Sequence, residues 1–213
     1  MRTAIKQYSI EKGLPEIDTA IELTAKGFNR PVDAELTEDV ESHINSGDNF
    51  YFVNDENGKN IAYSIFSQYK TAAGEVLYLS GVIIDPPHQG KGISRDIVNT
   101  AIEEHEPDYL CFRTQSVRMY EAGRKMVEVL YPRIEETKLG IPDDIMTAGE
   151  RMAEIIGGQF PITKGCYGGK PLYGERPDHY SSEEFYRYCN FSKGDAILFV
   201  GKPLVRQADY GSA

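Results

Sequence analysis

The sequence predicts an α+β fold, a central sheet with helices packed on its faces. Three observations carry that prediction: two runs of alternating apolar residues joined by an Asn-Gly turn, a long strand that ends in a glycine loop and an amphipathic helix, and a further strand beyond that helix. The 213 residues fit one large domain or two small ones, and 40% hydrophobic content is enough to form a core. Disordered and low-complexity classes are excluded on the same grounds.

The elements follow in order. Leu14 to Lys26 places Ile17, Ala20, Ile21 and Ala25 at helical spacing. Thr37, followed by Glu38 and Asp39, signals a second helix, with the threonine as cap and the acids on its positive end. Asn49 to Val53 and Asn60 to Gln68 read as a hairpin about Asn57-Gly58, since an Asn-Gly turn accepts positive φ at both central positions. Glu75 to Asp85 is a third strand, wholly apolar at Val82-Ile83-Ile84 as a central strand should be. After Gln89-Gly90-Lys91-Gly92-Ile93-Ser94 comes a helix over Ser94 to Glu106, its buried stripe formed by Ile93, Ile97, Val98, Ala101 and Ile102 and its end set by Pro107. A short strand over Tyr109 to Arg113 leads to a predicted helix from Ser116 to Leu130, with Ser116 as its cap. Beyond Tyr131 a helix over Asp143 to Ile156 precedes a segment rich in Gly and Tyr, and Ala196 to Val200 reads as the last strand. Residues 1–130 therefore read as a core, and 131–213 as a C-terminal extension that completes the sheet and covers one end of it.

Charge and cysteine usage bound the function. The net charge of −10 argues against nucleic acid, which needs a basic surface. Cys111, Cys166 and Cys189 form no C-x-x-C pair, so neither a disulfide framework nor a zinc ribbon is expected, and no His/Asp/Glu grouping has metal-ligand spacing. With charges at Arg2, Lys6, Glu11 and Lys12 no signal peptide is expected, and no run approaches the roughly 20 apolar residues of a membrane span. A cytoplasmic protein without a membrane partner is expected.

The sharpest motif is the loop from Gln89 to Ser94. Two glycines let backbone N–H groups approach a ligand, and the helix that follows adds free N–H groups and a positive dipole end, a cradle for phosphate or pyrophosphate. It is not a nucleotide P-loop, because Gly92 follows Lys91 where Ser or Thr is required. It is not a dinucleotide fingerprint, because Arg95 stands where the last glycine belongs. It does fit [Q/R]-x-x-G-x-[G/A] through Gln89 and Gly92, with Ser94 small enough for the last position and able to cap the helix.

With this loop, the preceding Val82-Ile83-Ile84-Asp85-Pro86 and the order of elements over about residues 1–130, the chain resembles the GNAT superfamily of acetyl-CoA-dependent N-acetyltransferases. The resemblance implies a mixed, mostly antiparallel sheet and acetyl-CoA as co-substrate, with no metal. It implies that the amides from Gln89 through Gly90, Lys91, Gly92 and Ile93 to Ser94 hold the CoA pyrophosphate. The exposed backbone of Val82, Ile83 and Ile84 would pair with the pantetheine arm and polarise the thioester carbonyl. It implies Tyr120 as the acid that protonates the leaving thiolate, although Arg113 replaces the family's asparagine and Gly123 arrives one residue earlier than in Y-x-x-x-G-F.

No carboxylate occupies the long strand where relatives often place a base, leaving Glu75 and Asp85 at its ends. The expected reaction is direct acetyl transfer to an amine on a small molecule or peptide, the alternative being an inactive acyl-CoA-binding protein. Residues 1–60 hold 6 Lys/Arg against 12 Asp/Glu, which favours a cationic amine. A homodimer is an arrangement the sequence leaves open.

Overall fold

A computed structural model describes residues 3–9, 16–136 and 140–204. Leu14, Arg2, Glu11 and Lys12 lie outside the described residues. One mixed sheet runs through the molecule. Strands β1 (Ala4–Ser9), β2 (Asn49–Asn54), β3 (Asn60–Lys70) and β4 (Glu75–Ile84) pair antiparallel in sequence order. The parallel neighbour of β4 is β5 (Tyr109–Thr114), and the full order is β1-β2-β3-β4-β5-β8-β6. Strand β8 (Ala196–Pro203) lies between β5 and β6 (Val127–Tyr131), and the two-residue β7 (Ile162–Thr163) pairs with the start of β8. Six of the eight residues of β8 are buried in an unbroken run, as expected for a strand with neighbours on both edges.

The helices divide between the two faces. Helices α1 (Ile17–Phe28) and α2 (Ala34–Ser46) bury Ile21, Leu36, Val40 and Ile44 against Phe50, Phe52, Tyr63 and Ile65 of β2 and β3. On the same face further along, α5 (Asp143–Ile155) buries Ile145 and Met152 against Tyr78, Cys111 and Leu198. The other face carries α3 (Ile93–His105), α4 (Val117–Gly123) and α6 (Ser182–Tyr188). Ile97, Val98, Val117, Tyr120 and Phe185 pack there on Leu77, Leu110, Phe112 and Phe199. The split follows from the period of two along each strand: in β5, Tyr109 and Cys111 meet one layer, Leu110 and Phe112 the other.

Several expected boundaries are corrected. The cap of α2 is Asp33, whose Oδ1 accepts from Leu36 N at 2.8 Å, so the helix starts a turn before Thr37. Helix α3 is entered from Gly92, with no side-chain cap, and Ser94 sits inside its first turn. The predicted helix from Ser116 to Leu130 is two elements. Helix α4 stops at Gly123, where any Cβ would collide with the Phe112 ring, and Val127 to Tyr131 becomes β6 against β8. A nonlocal partner thus overrides a helical apolar stripe, and β-branched Val127 and Val129 suit the strand. The strands β1 and β7 and the helix α6 were not foreseen. Among the described residues no helix is long and apolar enough to cross a membrane.

Candidate active site

Strands β4 and β5 pair only from Val76–Tyr109 to Leu79–Phe112. Beyond that point they part. A register shift against β3 at Ile65/Phe66 leaves Ser80 as an extra residue in β4, and Gly81 to Ile84 stay paired with β3 while Arg113 and Thr114 turn to β8. A bulge of this kind twists and bends its strand. From Ser80 onward the β5-facing edge of β4 therefore has no strand partner, and its main-chain groups are available to an extended ligand.

A groove of about 1040 Å³ runs along this edge on the α3/α4 side. All the residues expected at the cofactor line it: Val82 to Ile84 and Gln89 to Ser94. The loop has the shape its glycines allow, with φ of 75° at Gly90 and 83° at Gly92, and Gln89 Nε2 ties it back to the Ile84 carbonyl at 3.1 Å. With Gly92 as a cap that offers no side chain, the first turn of α3, whose residues Ile93 to Arg95 line the groove, has no side-chain cap on its N–H groups. Lys91, Arg95, Arg118, Lys125 and Arg176 rim it against two carboxylates, Glu121 and Glu175. In a chain of net charge −10 this is a concentrated cationic wall, suited to several phosphates.

A second cavity of about 140 Å³ opens on the α1/α2 side, walled by Thr24, Asp39, His43, Tyr63, Arg113 and Tyr167 among others. The two share Phe28, Val82, Ile83, Met119 and Tyr173, so they meet at the gap where β4 and β5 part. The arrangement is a passage through a sheet: a long cationic groove on one side, a small aromatic cavity on the other, and a free strand edge between them.

Tyr120 is not at that meeting point. It lines neither cavity, its ring packs on Phe185 and Phe199 in the core, and its hydroxyl donates to Glu135 Oε1 at 2.8 Å. Burial and the Glu135 carboxylate both push its pKa up, so it is held as a neutral phenol. Met119 takes the cavity-facing position instead. One residue along a helix is a rotation of about 100°, and Gly123 stands four residues after Met119 rather than after Tyr120. The spacing to Gly123 was the signal in the sequence.

The tyrosine that does reach the junction is Tyr173, from the long segment between β6 and β8. Its ring meets Phe28 edge-on at 5.0 Å. The Ser116 and Thr114 side chains lie near its hydroxyl, and Thr114 Oγ1 accepts from Ser116 N at 2.9 Å. Burial pushes its pKa up to about 12, and the two hydroxyls oppose that rise by stabilising the phenolate. Ser116 is at the cap position of α4, as expected, but its hydroxyl makes no capping bond.

Neither expected carboxylate reaches the passage. Glu75 pairs with Lys70 at 3.1 Å on the surface and Asp85 is buried near His88, and neither lines the groove or the small cavity. The titratable pair that does line the small cavity is Asp39 and His43, with His43 Nδ1 2.8 Å from the Asp39 carbonyl and 3.4 Å from its Oδ1. Among the described residues no group of three or more His, Cys, Asp or Glu could hold a metal ion.

A mixed sheet that parts between two parallel strands, fed by a glycine loop and a helix N-terminus, is the acetyltransferase fold. The acetyltransferase (GNAT) family model matches residues 17–124, more than half of the chain, and the protein belongs to this family. Its fold is similar to that of the ribosomal-protein-S18-alanine N-acetyltransferase from Escherichia coli, with a TM-score of 0.52 at 12% identity over 100% of this chain and 99% of that one. It is also similar to a structure from Corynebacterium glutamicum described as histone acetyltransferase HPA2 and related acetyltransferase, with a TM-score of 0.50 at 11% identity over 98% of this chain and 100% of that one. At such identities the likeness concerns the fold. No curated protein matches the chain in sequence.

Proposed function

We propose that the protein moves an acetyl group from acetyl-CoA directly to an amine, both substrates being bound at once. The observation that carries this reading is the unpaired edge of β4, which joins the cationic groove to the small cavity. Amides of Gln89 to Ser94 and the positive end of α3 suit the pyrophosphate, with Lys91, Arg118 and Lys125 as counter-charges. The free edge over Val82 to Ile84 suits the amide-bearing pantetheine arm, which would add as a strand. An amine entering from the small cavity then meets the thioester at the junction.

Chain groups suit each proton in that step. The amine nitrogen forms a C–N bond to the carbonyl carbon, and its surplus proton leaves toward His43 or water in the cavity. As the C–S bond breaks, its electron pair goes to sulfur and Tyr173 supplies the proton, being re-protonated from solvent. Thr114 and Ser116, which favour the phenolate of Tyr173, would stabilise its oxygen as the proton moves. Acetyl-CoA and amine become amide and free CoA thiol, and the atoms balance.

The test is twofold. Acetyl-CoA at 100 times its dissociation constant should stabilise the folded protein by about 2.7 kcal/mol. Free thiol should also appear faster with a suitable amine than without. Stabilisation with no amine-dependent thiol release would instead indicate an acyl-CoA-binding protein, and no stabilisation at millimolar acetyl-CoA would sink the reading.

A further inference from the structure

Among the described residues the small cavity contains a cation, Arg113, with no carboxylate partner. Arg113 lies on the α5 side of β5 and lines the cavity. Its Nη1 donates to the carbonyls of Ile156 and Gly157, at 3.4 and 3.3 Å, where α5 ends. Those two bonds fix the guanidinium in place, and the negative end of the α5 dipole offsets part of its charge. Among the described residues no carboxylate lies within 4.0 Å of it, although the chain holds 33 acids against 23 Lys/Arg.

Comparison with the other arginines sharpens the point. Arg30, Arg95, Arg124, Arg133 and Arg151 each pair with a carboxylate. Of the described arginines without such a partner, Arg118 and Arg176 line the groove that suits phosphates, and Arg187 is exposed on α6. Arg113 is the one in the smaller cavity. The bonds of this guanidinium use Nη1 alone, which leaves Nε and Nη2 without a hydrogen-bond partner among the described residues, and that pair is a planar fork that matches a carboxylate in two-point contact. Among the described residues the only carboxylate lining that cavity is Asp39, which sits on α2 over the β3 side, next to His43. Because β4 lies between β3 and β5, the acidic and basic ends of the cavity flank the strand edge where transfer would occur.

We infer that the acceptor is an amine that also carries a carboxylate, an amino-acid-like zwitterion whose carboxylate is held by Arg113. This rests on the acetyltransferase reading above. The cavity volume of about 140 Å³ suits a small acceptor. It also refines the expectation of a cationic amine: the acidic first 60 residues attract the ammonium end, and Arg113 takes the other end.

The experiment measures kcat/KM at saturating acetyl-CoA for a panel of free amino acids. The matching amino-acid amides, decarboxylated amines and aminophosphonates are measured alongside, with wild type, Arg113→Gln and Arg113→Lys. Wild type should favour the amino acid over its amide by about 10- to 100-fold, the worth of a hydrogen bond to a charged group. Arg113→Gln should raise KM for amino acids by a similar factor and leave KM for amides unchanged. Arg113→Lys, charged but without the fork, should recover part of the loss.

Equal use of amide and amino acid by wild type overturns the inference, as does a preference for the phosphonate. So does an equal loss on every acceptor in Arg113→Gln, which would mark a structural arginine. Should Arg113→Gln fail to fold, the wild-type preference decides by itself. Turnover of other amines with rejection of amino acids defeats this inference alone, whereas absence of acetyl-CoA binding defeats the acetyltransferase reading beneath it.

Discussion

The Tyr120 hydroxyl donates to Glu135 Oε1 at 2.8 Å, and Arg124 reaches the same oxygen at 2.9 Å. Both the ring and the hydroxyl of Tyr120 are therefore engaged away from the substrate passage. Tyr120→Phe should keep turnover near wild type. It should lose about 1 kcal/mol of stability with the hydrogen bond, which for a chain of this size lowers Tm by roughly 2–4 °C. Paired melting curves and initial rates check this, and a large fall in rate with an unchanged Tm would return Tyr120 to the mechanism.

Ser94 offers a way to separate folding from cofactor binding. It lies in the first turn of α3 and lines the cationic groove. A carboxylate there complements the helix dipole, so Ser94→Glu should leave stability unchanged or raise it by about 0.3–1 kcal/mol. The same charge facing a pyrophosphate is repulsive, and acetyl-CoA affinity should fall by roughly 10-fold or more, less so at high salt. Calorimetric titration with acetyl-CoA beside a melting curve would show the two effects moving in opposite directions. Unchanged affinity would remove the loop from the phosphate site.

Acid should loosen the segment between β6 and β8 from the sheet. Asp195 is 2% exposed and accepts from Lys164 at 2.8 Å, Gly165 N at 3.1 Å and Asn190 N at 3.2 Å. Burial pushes its pKa up, but these donors outweigh it and hold the carboxyl below its ordinary range. Glu121 is held low in the same way, against its burial, by Ser181 at 2.5 Å and Tyr180 at 2.8 Å. A carboxyl with a depressed folded pKa stabilises fully above its unfolded value, near 4, and that contribution is lost as pH falls through the folded value. Stability should thus drop below about pH 4. Asp195→Asn should cost about 1–3 kcal/mol at neutral pH and flatten that acid limb. Urea unfolding at pH 7 and pH 3.5 measures both, and a parallel acid limb in the variant would exclude Asp195 as its source.

How much of this was legible depends on how local each cause is. The hairpin at Asn57-Gly58 was readable because its causes are adjacent, although only Gly58 takes positive φ, at 80°, and not both turn residues as expected: Asp55 Oδ1 accepts from both Asn57 N and Lys59 N and sets a longer loop. The strand, glycine loop and α3 were readable because apolar periodicity and two positive-φ glycines lie within 30 residues of one another. The position of β8 between β5 and β6 was not, since it is set by pairings such as Leu110 with Gly201, 91 positions apart. Tyr173 was legible only as one of five tyrosines between Tyr131 and the last strand that could line an acceptor pocket, because it stands in a Gly- and Pro-rich stretch with no period to announce which way a side chain points. At Met119 and Tyr120 the residue types pointed one way and the spacing to Gly123 the other, and the spacing governed.

Tyr173 decides whether the segment between β6 and β8 takes part in the chemistry. Among the described residues it is the one hydroxyl-bearing residue that lines both the groove and the small cavity, and Ser116 and Thr114 favour its phenolate. Tyr173→Phe removes the proton but keeps the ring against Phe28. A positioned general acid is worth about 10²- to 10⁴-fold, and a thiol of pKa near 8.5 is already a fair leaving group, so the fall in kcat should lie at or below the low end, roughly 10- to 100-fold. Acetyl-CoA affinity and Tm should stay close to wild type, because neither the phosphate wall nor the ring packing changes. Met119→Tyr in the Tyr173→Phe background returns a hydroxyl to the same junction from α4, and part of the lost rate should come back. Wild-type kcat in Tyr173→Phe with intact folding would show that sulfur takes its proton from elsewhere. Rate and Tm falling together, with no recovery from Met119→Tyr, would make Tyr173 a packing residue.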